Sequence, residues 1–243
     1  MVNPSGKRYG RLFHMTVATY NVHGYVGADG RFDPGRVAGV IRELKAEVIG
    51  LQEVYASSET GGWGAHMEYL SEVSGLQALP GPTMVREDSD FGNVLLTNFP
   101  ILQTDHLDLS ICGREPRGAI DAILEIKNRP VRVIVTHLGL RGKERLCQTE
   151  QLASKVDEDR NPLLILLGDI NEWYPLSRSL RYLNRCFGKS PVLPTFPARW
   201  PILPLDRIWV CPSNALLRVW THRKPLSRLA SDHLPLKAEI GLM

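Results

Sequence analysis

The stretch from Leu163 to Asn171 is Leu-Leu-Ile-Leu-Leu-Gly-Asp-Ile-Asn, which changes abruptly from apolar to polar. A run of five aliphatic residues is typical of a β-strand that is buried on both faces. Asp169 follows this run after a single glycine, so a carboxylate stands at the end of a buried strand. Burial of a carboxylate is costly unless a partner or a metal ion compensates it. The stretch therefore predicts a covered sheet with a polar site at its edge.

The residues before this strand complete a strand–helix–strand unit. Val131–Thr136 is a β-type run that ends at His137, and a helix-compatible stretch from Lys143 to about Val156 follows it. His137 and Asp169 are 32 positions apart, and each stands at the end of a predicted strand.

An earlier segment has the same layout. Met15–Tyr20 is a β-type run that ends at Asn21, and Val48–Leu51 leads into Glu53. Between them, the pair Asp33-Pro34 is typical of a helix start. Asn21 and Glu53 are also 32 positions apart, which suggests two similar half-sheets that face each other.

The fold class follows from these two units. Further strands are predicted near 93–98, 119–127, 206–210 and 236–240. Two facing mixed β-sheets with helices outside form a four-layer αββα sandwich of the α/β class. Because no linker-like stretch divides the chain, we expect residues 1–243 to form one domain, with 1–13 as a flexible N-terminal tail.

Composition narrows the class of protein. The 29 basic and 26 acidic residues give a net charge of +3, which is too small to indicate nucleic acid or membrane by itself. No stretch reaches the roughly 20 apolar residues of a membrane span, and the polar N-terminus does not resemble a signal peptide. The four cysteines lack zinc-site spacing. They are compatible with two bridges in a secreted protein, but we expect reduced cysteines, a cytoplasmic location and a monomer.

Polar residues stand at or beside the ends of most predicted core strands. Any one of them alone is more simply explained as a turn residue. For the whole set, that explanation would require one strand after another to end in an uncompensated polar group. The set consists of Asn21, Glu53, His137, Asp169, Asn171, Asp206, Asp232 and His233.

The chemistry of this set favours phosphoester hydrolysis. Carboxylates and amides without cysteine favour Mg²⁺ or Mn²⁺ over zinc. Hydrolysis of a phosphodiester needs an activated water and neutralisation of charge on the phosphoryl oxygens. An imidazolium of His233 held by Asp206 would supply part of that neutralisation.

Seven segments in this order resemble the endonuclease/exonuclease/phosphatase family, and they extend over almost the whole chain. Each is weak alone, but the ordered set is specific. The segments are Thr19-Tyr-Asn-Val-His-Gly24, Leu51-Gln-Glu-Val54, Gly92-Asn-Val-Leu-Leu-Thr-Asn98, Thr136-His-Leu138, Gly168-Asp-Ile-Asn171, Leu205-Asp-Arg-Ile208 and Ser231-Asp-His-Leu-Pro235.

The resemblance implies a role for each residue. Glu53 is the principal metal ligand, with help from Asn21 and Asp232. Asp169 positions or deprotonates the attacking water. The residues implied to contact the scissile phosphate are Asn171, His137 and His233, the last of them oriented by Asp206.

Two assignments near the phosphate remain less defined. Arg117 is a candidate phosphate clamp through its bidentate guanidinium, and a solvated surface arginine is the equal alternative. An acidic residue often supports the histidine in the position of His137, and Asp88 and Asp90 are the candidates here.

The chain departs from exonuclease III-like members of the family at two places. His23 stands where those enzymes carry Asp or Asn, and Glu172-Trp173 replaces their usual continuation. These features resemble the small bacterial branch of the family instead, and they make a dedicated abasic-site repair enzyme a weaker hypothesis.

The substrate stays open at this level. A metal-dependent nuclease acting on DNA or RNA is the first hypothesis. The second is the same chemistry on a phospholipid or a small phosphate ester, and the third is a non-catalytic binding module. Two basic stretches, 177–185 and 218–228, suit either anionic partner, and a solvated face is the simpler explanation of both.

Overall fold

The computed structural model describes residues 13–86, 88–157 and 163–242, and these form eleven β-strands and five α-helices. In chain order the elements are β1 (Phe13–Asn21), α1 (Pro34–Leu44), β2 (Val48–Ser57), α2 (Gly62–Ser74), β3 (Gln77–Val85), β4 (Ser89–Thr97), β5 (Ile101–Asp108), β6 (Gly118–Glu125), β7 (Pro130–His137), α3 (Gly142–Asp157), β8 (Leu164–Asp169), α4 (Arg178–Phe187), β9 (Asp206–Cys211), β10 (Leu216–Thr221), α5 (Pro225–Ala230) and β11 (Leu236–Leu242).

The strands form two mixed sheets. The six-stranded sheet has the order β10-β11-β1-β2-β4-β3, and the five-stranded sheet has the order β5-β6-β7-β8-β9. Among the strand pairs of the described residues, β1–β2 and β7–β8 are parallel and the others are antiparallel. The parallel pairs are the two predicted strand–helix–strand units, one at the centre of each sheet.

Side chains that alternate along the strands point to opposite faces of each sheet and fill three apolar layers. In the apolar run 163–167, Leu163, Ile165 and Leu167 point between the two sheets. Leu164 and Leu166 point the other way, into the layer that contains residues of α3 and α4. Residues of α1 and α2 cover the outer face of the six-stranded sheet. The predicted four-layer αββα sandwich is therefore confirmed.

The two sheets approach each other closely at Gly50 in β2. A Cβ atom at this position would lie 2.1 Å from Leu167 Cδ1 and 2.9 Å from Val135 Cγ1, both on the opposite sheet. A larger residue here would therefore displace the side chains of Leu167 and Val135.

We expect Gly50→Ala to lower the free energy of unfolding by about 1–3 kcal/mol, the usual cost of overpacking a core. Urea denaturation followed by circular dichroism measures this loss. Gly64→Ala in α2 is the matched control, because a Cβ there meets no atom within 4 Å and alanine favours a helix. Equal stability of the Gly50 variant and the native chain would contradict the close approach.

Two expectations concern the ends of the molecule and the membrane. The predicted tail, 1–13, lies outside the described residues except for Phe13, which is the first residue of β1. No α-helix in the described part of the chain has the length and apolar content that crossing a bilayer requires.

Candidate functional site

The strand register brings the predicted site residues to one edge of both sheets. His137 pairs with Asp169 on the neighbouring strand, and Asp169 pairs with Asp206 on the next. On the facing sheet, Asn21 Nδ2 donates hydrogen bonds to Glu53 Oε1 at 2.8 Å and to Asp169 Oδ2 at 3.0 Å. The amide of Asn21 therefore joins the two sheets across the site.

Glu53 enters the site through an irregularity in β2. The pairing of β2 with β4 shifts register between Leu51 and Val54, which is a β-bulge. Within it Glu53 has a φ of 55°, in the left-handed region that costs a non-glycine residue on the order of 1 kcal/mol or more. The preceding residue, Gln52, is buried and accepts a hydrogen bond from Thr19. The bulge keeps Gln52 inside and turns Glu53 into the site.

Asp169 is held by the turn that follows β8. Asn171 has a φ of 53°, and its backbone N–H donates to Asp169 Oδ1 at 2.9 Å. The amide Nδ2 of Asn171 lies 2.8 Å from the carbonyl oxygen of Leu138 and 3.0 Å from His137 Nε2. Both amide protons are used by these two acceptors, so Asn171 links the Asp169 carboxylate to the His137 ring.

His137 and His233 flank Asp169 but differ in protonation. His137 Nε2 is 3.6 Å from Asp169 Oδ2, and His233 Nε2 is 3.7 Å from the same oxygen. Burial lowers the pKa of His137 to about 3, and the charges of Arg117 and His233 also lower it against the opposing effect of Asp169. Burial alone would lower the pKa of His233 too, but the carboxylates of Asp206 and Asp169 outweigh it and raise that pKa to about 10. Near neutral pH, His137 is therefore neutral and His233 is protonated.

Asp206 orients His233, as the sequence predicted for this pair. His233 Nδ1 is 2.9 Å from Asp206 Oδ2, and both side chains are buried. The backbone is fixed by Ser231, whose hydroxyl accepts from His233 N and donates to the carbonyl oxygen of Asn21. The centroids of the Phe196 ring and the His233 imidazole are 4.9 Å apart, so this packing supports the orientation of the imidazole.

The chemistry of the donors fits a hard divalent cation. Glu53, His137 and Asp169 offer ligand atoms within 4.8 Å of one another, and so do Asp169, Asp206 and His233. The protonated His233 is a poor ligand, so the first group is the better candidate. The two carboxylates of this group suit Mg²⁺ or Mn²⁺, whereas His137 Nε2 is engaged by the hydrogen bond from Asn171.

The other two predicted metal ligands are placed less directly. Asn21 presents its amide nitrogen to Glu53, while its Oδ1 accepts from His23 N at 2.9 Å. Asp232 Oδ1 lies 3.6 Å from His23 Nδ1. Asp232 belongs to neither of the two close groups of potential ligands found among the described residues.

Arg117 is not a solvated surface residue. It is 8% exposed, and its guanidinium forms a bidentate pair with Glu115 at 2.9 and 3.2 Å. Its Nε has no hydrogen-bond partner in the part of the chain that the structure describes. A small cavity lined by Arg117, Glu53, Asn93 and His137, among others, connects it to the site.

The suggested acidic partners of His137 were wrong. Asp90 accepts from the backbone N–H of Arg86, and Asp88 accepts from the Ser89 hydroxyl. Both hydrogen bonds join residues close to one another in sequence at the start of β4, so these two carboxylates stabilise the chain there and do not contact His137. The carboxylates within 4 Å of His137 are instead those of Glu53 and Asp169.

Several supporting residues escaped sequence analysis. Ser231 and Phe196 act through contacts with residues far along the chain, and Glu115 had no predicted role. The buried pair of Arg145 and Glu172, at 2.9 Å, joins the segments that follow β7 and β8. Of these, only Ser231 carried a signal, because it directly precedes Asp232 and His233.

Comparisons with known proteins show the family to which the chain belongs. The model of the Endonuclease/Exonuclease/phosphatase family matches residues 18–233. The uncharacterized protein YbhP of Escherichia coli K12 is 31% identical, and the alignment covers 95% of this chain and 97% of that protein.

Solved structures show the same fold. A family protein from Bacteroides thetaiotaomicron superposes with a TM-score of 0.75 at 17% identity, with 96% of each chain covered. ANGEL2, described as a 2′,3′-cyclic phosphatase, has a TM-score of 0.73 at 16% identity, with 95% of this chain and 96% of that chain covered. The chain is a member of the endonuclease/exonuclease/phosphatase family.

Proposed function

We propose that this chain is a divalent-metal-dependent phosphodiester hydrolase. The observation that carries the proposal is the position of Asp169 between a group of metal-ligand type and a protonated histidine. Hydrolysis of a phosphodiester needs a base for water and a cation for the phosphoryl oxygens, both at one phosphorus atom. The likeness to ANGEL2, described as a 2′,3′-cyclic phosphatase, supports phosphoester chemistry.

Asp169 is the group that accepts the proton of the attacking water in this proposal. Its two carboxylate oxygens accept from Asn171 N and Asn21 Nδ2, and these two hydrogen bonds fix its orientation. A fixed carboxylate that is only 1% exposed needs little reorganisation before it acts.

His233 donates a proton or hydrogen bond to a phosphoryl oxygen. Its Nδ1 is engaged by Asp206, whereas its Nε2 is 3.7 Å from Asp169, too far for a hydrogen bond. The Nε2–H is therefore available to a substrate oxygen.

His137 and Arg117 complete the phosphate side of the site. The neutral His137 accepts from Asn171 through Nε2, so Asn171 serves to position this ring, and contact of Asn171 itself with the phosphate becomes secondary. Arg117 reaches the phosphate if its guanidinium is released by Glu115.

The divalent ion would be held chiefly by Glu53, with Asp169, and with Asn21 and Asp232 as further oxygen donors. When bound, such an ion polarises the phosphoryl group and lowers the pKa of water. The strained backbone at Glu53 is consistent with a residue that is kept for this role.

We expect Glu53→Gln to raise the Mg²⁺ concentration for half-maximal activity by about tenfold or more, since a charged ligand becomes a neutral one. Titrating Mg²⁺ into metal-free protein, with bis(4-nitrophenyl) phosphate as substrate, measures this change. EDTA should abolish turnover in the unmodified chain. Glu59→Gln is the matched control, because this carboxylate is exposed and lies in neither ligand group of the described residues. An unchanged Mg²⁺ requirement in Glu53→Gln would exclude it as the main ligand.

Nucleic acid is the first substrate class that we propose, and one feature supports it directly. A groove of about 570 Å³ opens beside Glu53 and is lined by Phe32, Tyr55 and Phe91, among others. Aromatic rings beside a phosphate site suit stacking on bases. Plasmid DNA and single-stranded RNA, tested with Mg²⁺ and with EDTA, measure this activity.

Phospholipid is the second class, and a different feature favours it. Exposed apolar side chains border the same site on the side of the five-stranded sheet. Turnover of phospholipid vesicles without any turnover of nucleic acid would replace the first substrate class by the second.

A further inference from the structure

Six large apolar side chains are exposed on three loops next to the candidate site. We call residues 138–143, 173–178 and 196–203 the rim. Six large apolar side chains of the rim are between 49% and 72% exposed, namely Leu140, Trp173, Tyr174, Leu176, Trp200 and Ile202. Soluble monomeric proteins rarely expose large contiguous apolar patches, and such patches mark interaction surfaces.

Hydrogen bonds tie the first two rim loops to each other. Leu138 N donates to the carbonyl oxygen of Asp169 at 3.0 Å, where β7 and β8 end side by side. Arg145 donates to the carbonyl oxygen of Leu140 at 2.6 Å and also pairs with Glu172, which directly precedes Trp173. Leu140 and Trp173 therefore stand on adjacent, cross-linked loops.

The third rim loop is fixed beside the same site. Ile170 N donates to the carbonyl oxygen of Leu205 at 2.9 Å, so the segments after β8 and before β9 run side by side. Ala198 N donates to the carbonyl oxygen of Asp232 at 2.6 Å, and the Phe196 ring contacts His233. The rim is thus one border of the catalytic edge rather than three separate patches.

The charge of the rim has a single sign. Its 20 residues include Arg141, Lys143, Arg178 and Arg199, all exposed, and none of the chain's 26 acidic residues. The acidic residues that directly adjoin the rim in sequence, Glu144 and Glu172, are buried, and Glu172 is paired with Arg145. Asp232, whose backbone accepts from Ala198 N, belongs to the candidate site. Exposed arginines between exposed tryptophans form a surface that is both cationic and apolar.

The combination of exposed aliphatic, aromatic and basic side chains favours an anionic lipid surface over nucleic acid as the partner. Base stacking needs rings, and Leu140, Leu176 and Ile202 have none. Aliphatic side chains gain free energy by entering a lipid interface, where tryptophan and tyrosine are also favoured. Basic side chains near anionic lipids add electrostatic attraction.

We propose that the rim docks on the surface of an anionic phospholipid bilayer. Trp173, Trp200 and Ile202 enter the headgroup layer, and the rim arginines contact lipid phosphates. The docked orientation turns the catalytic edge toward the headgroups. That a headgroup phosphodiester is then the substrate rests on the proposed function, whereas docking itself does not.

Vesicle sedimentation in EDTA tests docking without turnover. We expect the full chain to bind vesicles of phosphatidylglycerol and phosphatidylcholine, and to bind phosphatidylcholine vesicles much more weakly. Trp200→Ser combined with Ile202→Ser should weaken binding about tenfold or more, because two buried apolar groups are lost. Arg199→Glu should weaken it in a salt-dependent manner. On binding, the fluorescence of the exposed Trp173 and Trp200 should shift to shorter wavelength.

The control replaces two exposed apolar residues outside the rim. Leu102 in β5 and Leu217 in β10 are exposed and lie on edge strands of the two sheets. Leu102→Ser combined with Leu217→Ser should bind vesicles like the unmodified chain. Failure of the unmodified chain to bind anionic vesicles, or equal loss in the rim and control variants, would overturn the proposal. Loss of single-stranded RNA binding in the rim variant, with vesicle binding intact, would also overturn it.

Turnover of bis(4-nitrophenyl) phosphate separates this proposal from the proposed function. The rim variants should hydrolyse this soluble ester like the unmodified chain, since none of the replaced residues belongs to the catalytic group. Turnover without vesicle binding would remove docking and leave the hydrolase. Vesicle binding without turnover in any metal would remove the hydrolase and leave docking.

Discussion

The Asp169→Asn variant should hydrolyse a phosphodiester about 10³-fold more slowly than the unmodified chain, with KM changed much less. General-base catalysis by a positioned side chain contributes about 10²–10⁴-fold. We place Asp169 at the middle of that range and not at its lower end, because its carboxylate also helps to keep His233 protonated. An amide has the same shape but neither accepts the proton of water nor carries the charge.

Steady-state kinetics at saturating Mg²⁺ measure this loss, and circular dichroism checks the fold. Asp105→Asn serves as the control, since Asp105 is an exposed carboxylate in β5. A variant of Asp169 that keeps more than one-tenth of the native kcat would refute its role as the base. The same loss in Asp105→Asn would point to a general effect of charge instead.

The buried strands could be predicted from the sequence, and three of the four outermost strands could not. Continuous apolar runs such as 163–167 arise only where a strand is covered on both faces. No prediction covered β3, β5 or β10, which are outermost strands of their sheets. The fourth outermost strand, β9, was predicted, and five of its six residues are buried. β3 contains Pro80 and Pro82, which an edge strand tolerates because some of its N–H groups need no partner. The apolar signal is weak where one side of the strand faces solvent.

Several candidate site residues could be picked out from the sequence for a related reason. A polar residue directly after a buried run has no place in the core, so Asn21, His137 and Asp169 stood out by position alone. The parallel pairing of β1 with β2 and of β7 with β8 then brings these ends together. A candidate site residue that directly follows a buried strand can therefore be recognised from the sequence alone.

The supporting contacts needed three dimensions. Asn21 reaches Asp169 across 148 positions of sequence, and Ser231 reaches Asn21 across 210. The left-handed backbone of Glu53 depends on a bulge against β4, which no local pattern announces. The rim also became apparent only through exposure, since Trp173 and Trp200 do not differ in type from the buried Trp209.

We expect His233→Gln to lose about 10²–10³-fold in kcat, the usual cost of removing one donor that stabilises developing oxyanion charge. Asp206→Asn should lose less at pH 7 and more as the pH rises. The reason is the pKa of His233, which Asp206 helps to raise to about 10 in the native chain. Without that carboxylate the pKa falls, so the protonated form of His233, and the activity with it, is lost at lower pH than in the unmodified chain.

The double variant His233→Gln/Asp206→Asn tests whether the two residues act as a unit. If Asp206 acts only through the imidazole, the double variant should be no slower than His233→Gln alone. His222→Gln is the matched control, because His222 is also buried and lies 3.0 Å from a carboxylate, that of Glu43, but outside the site. Multiplicative losses in the double variant would mean that Asp206 has a separate role. An Asp206→Asn profile that loses activity at the same pH as the native chain would mean that this carboxylate does not control the proton of His233.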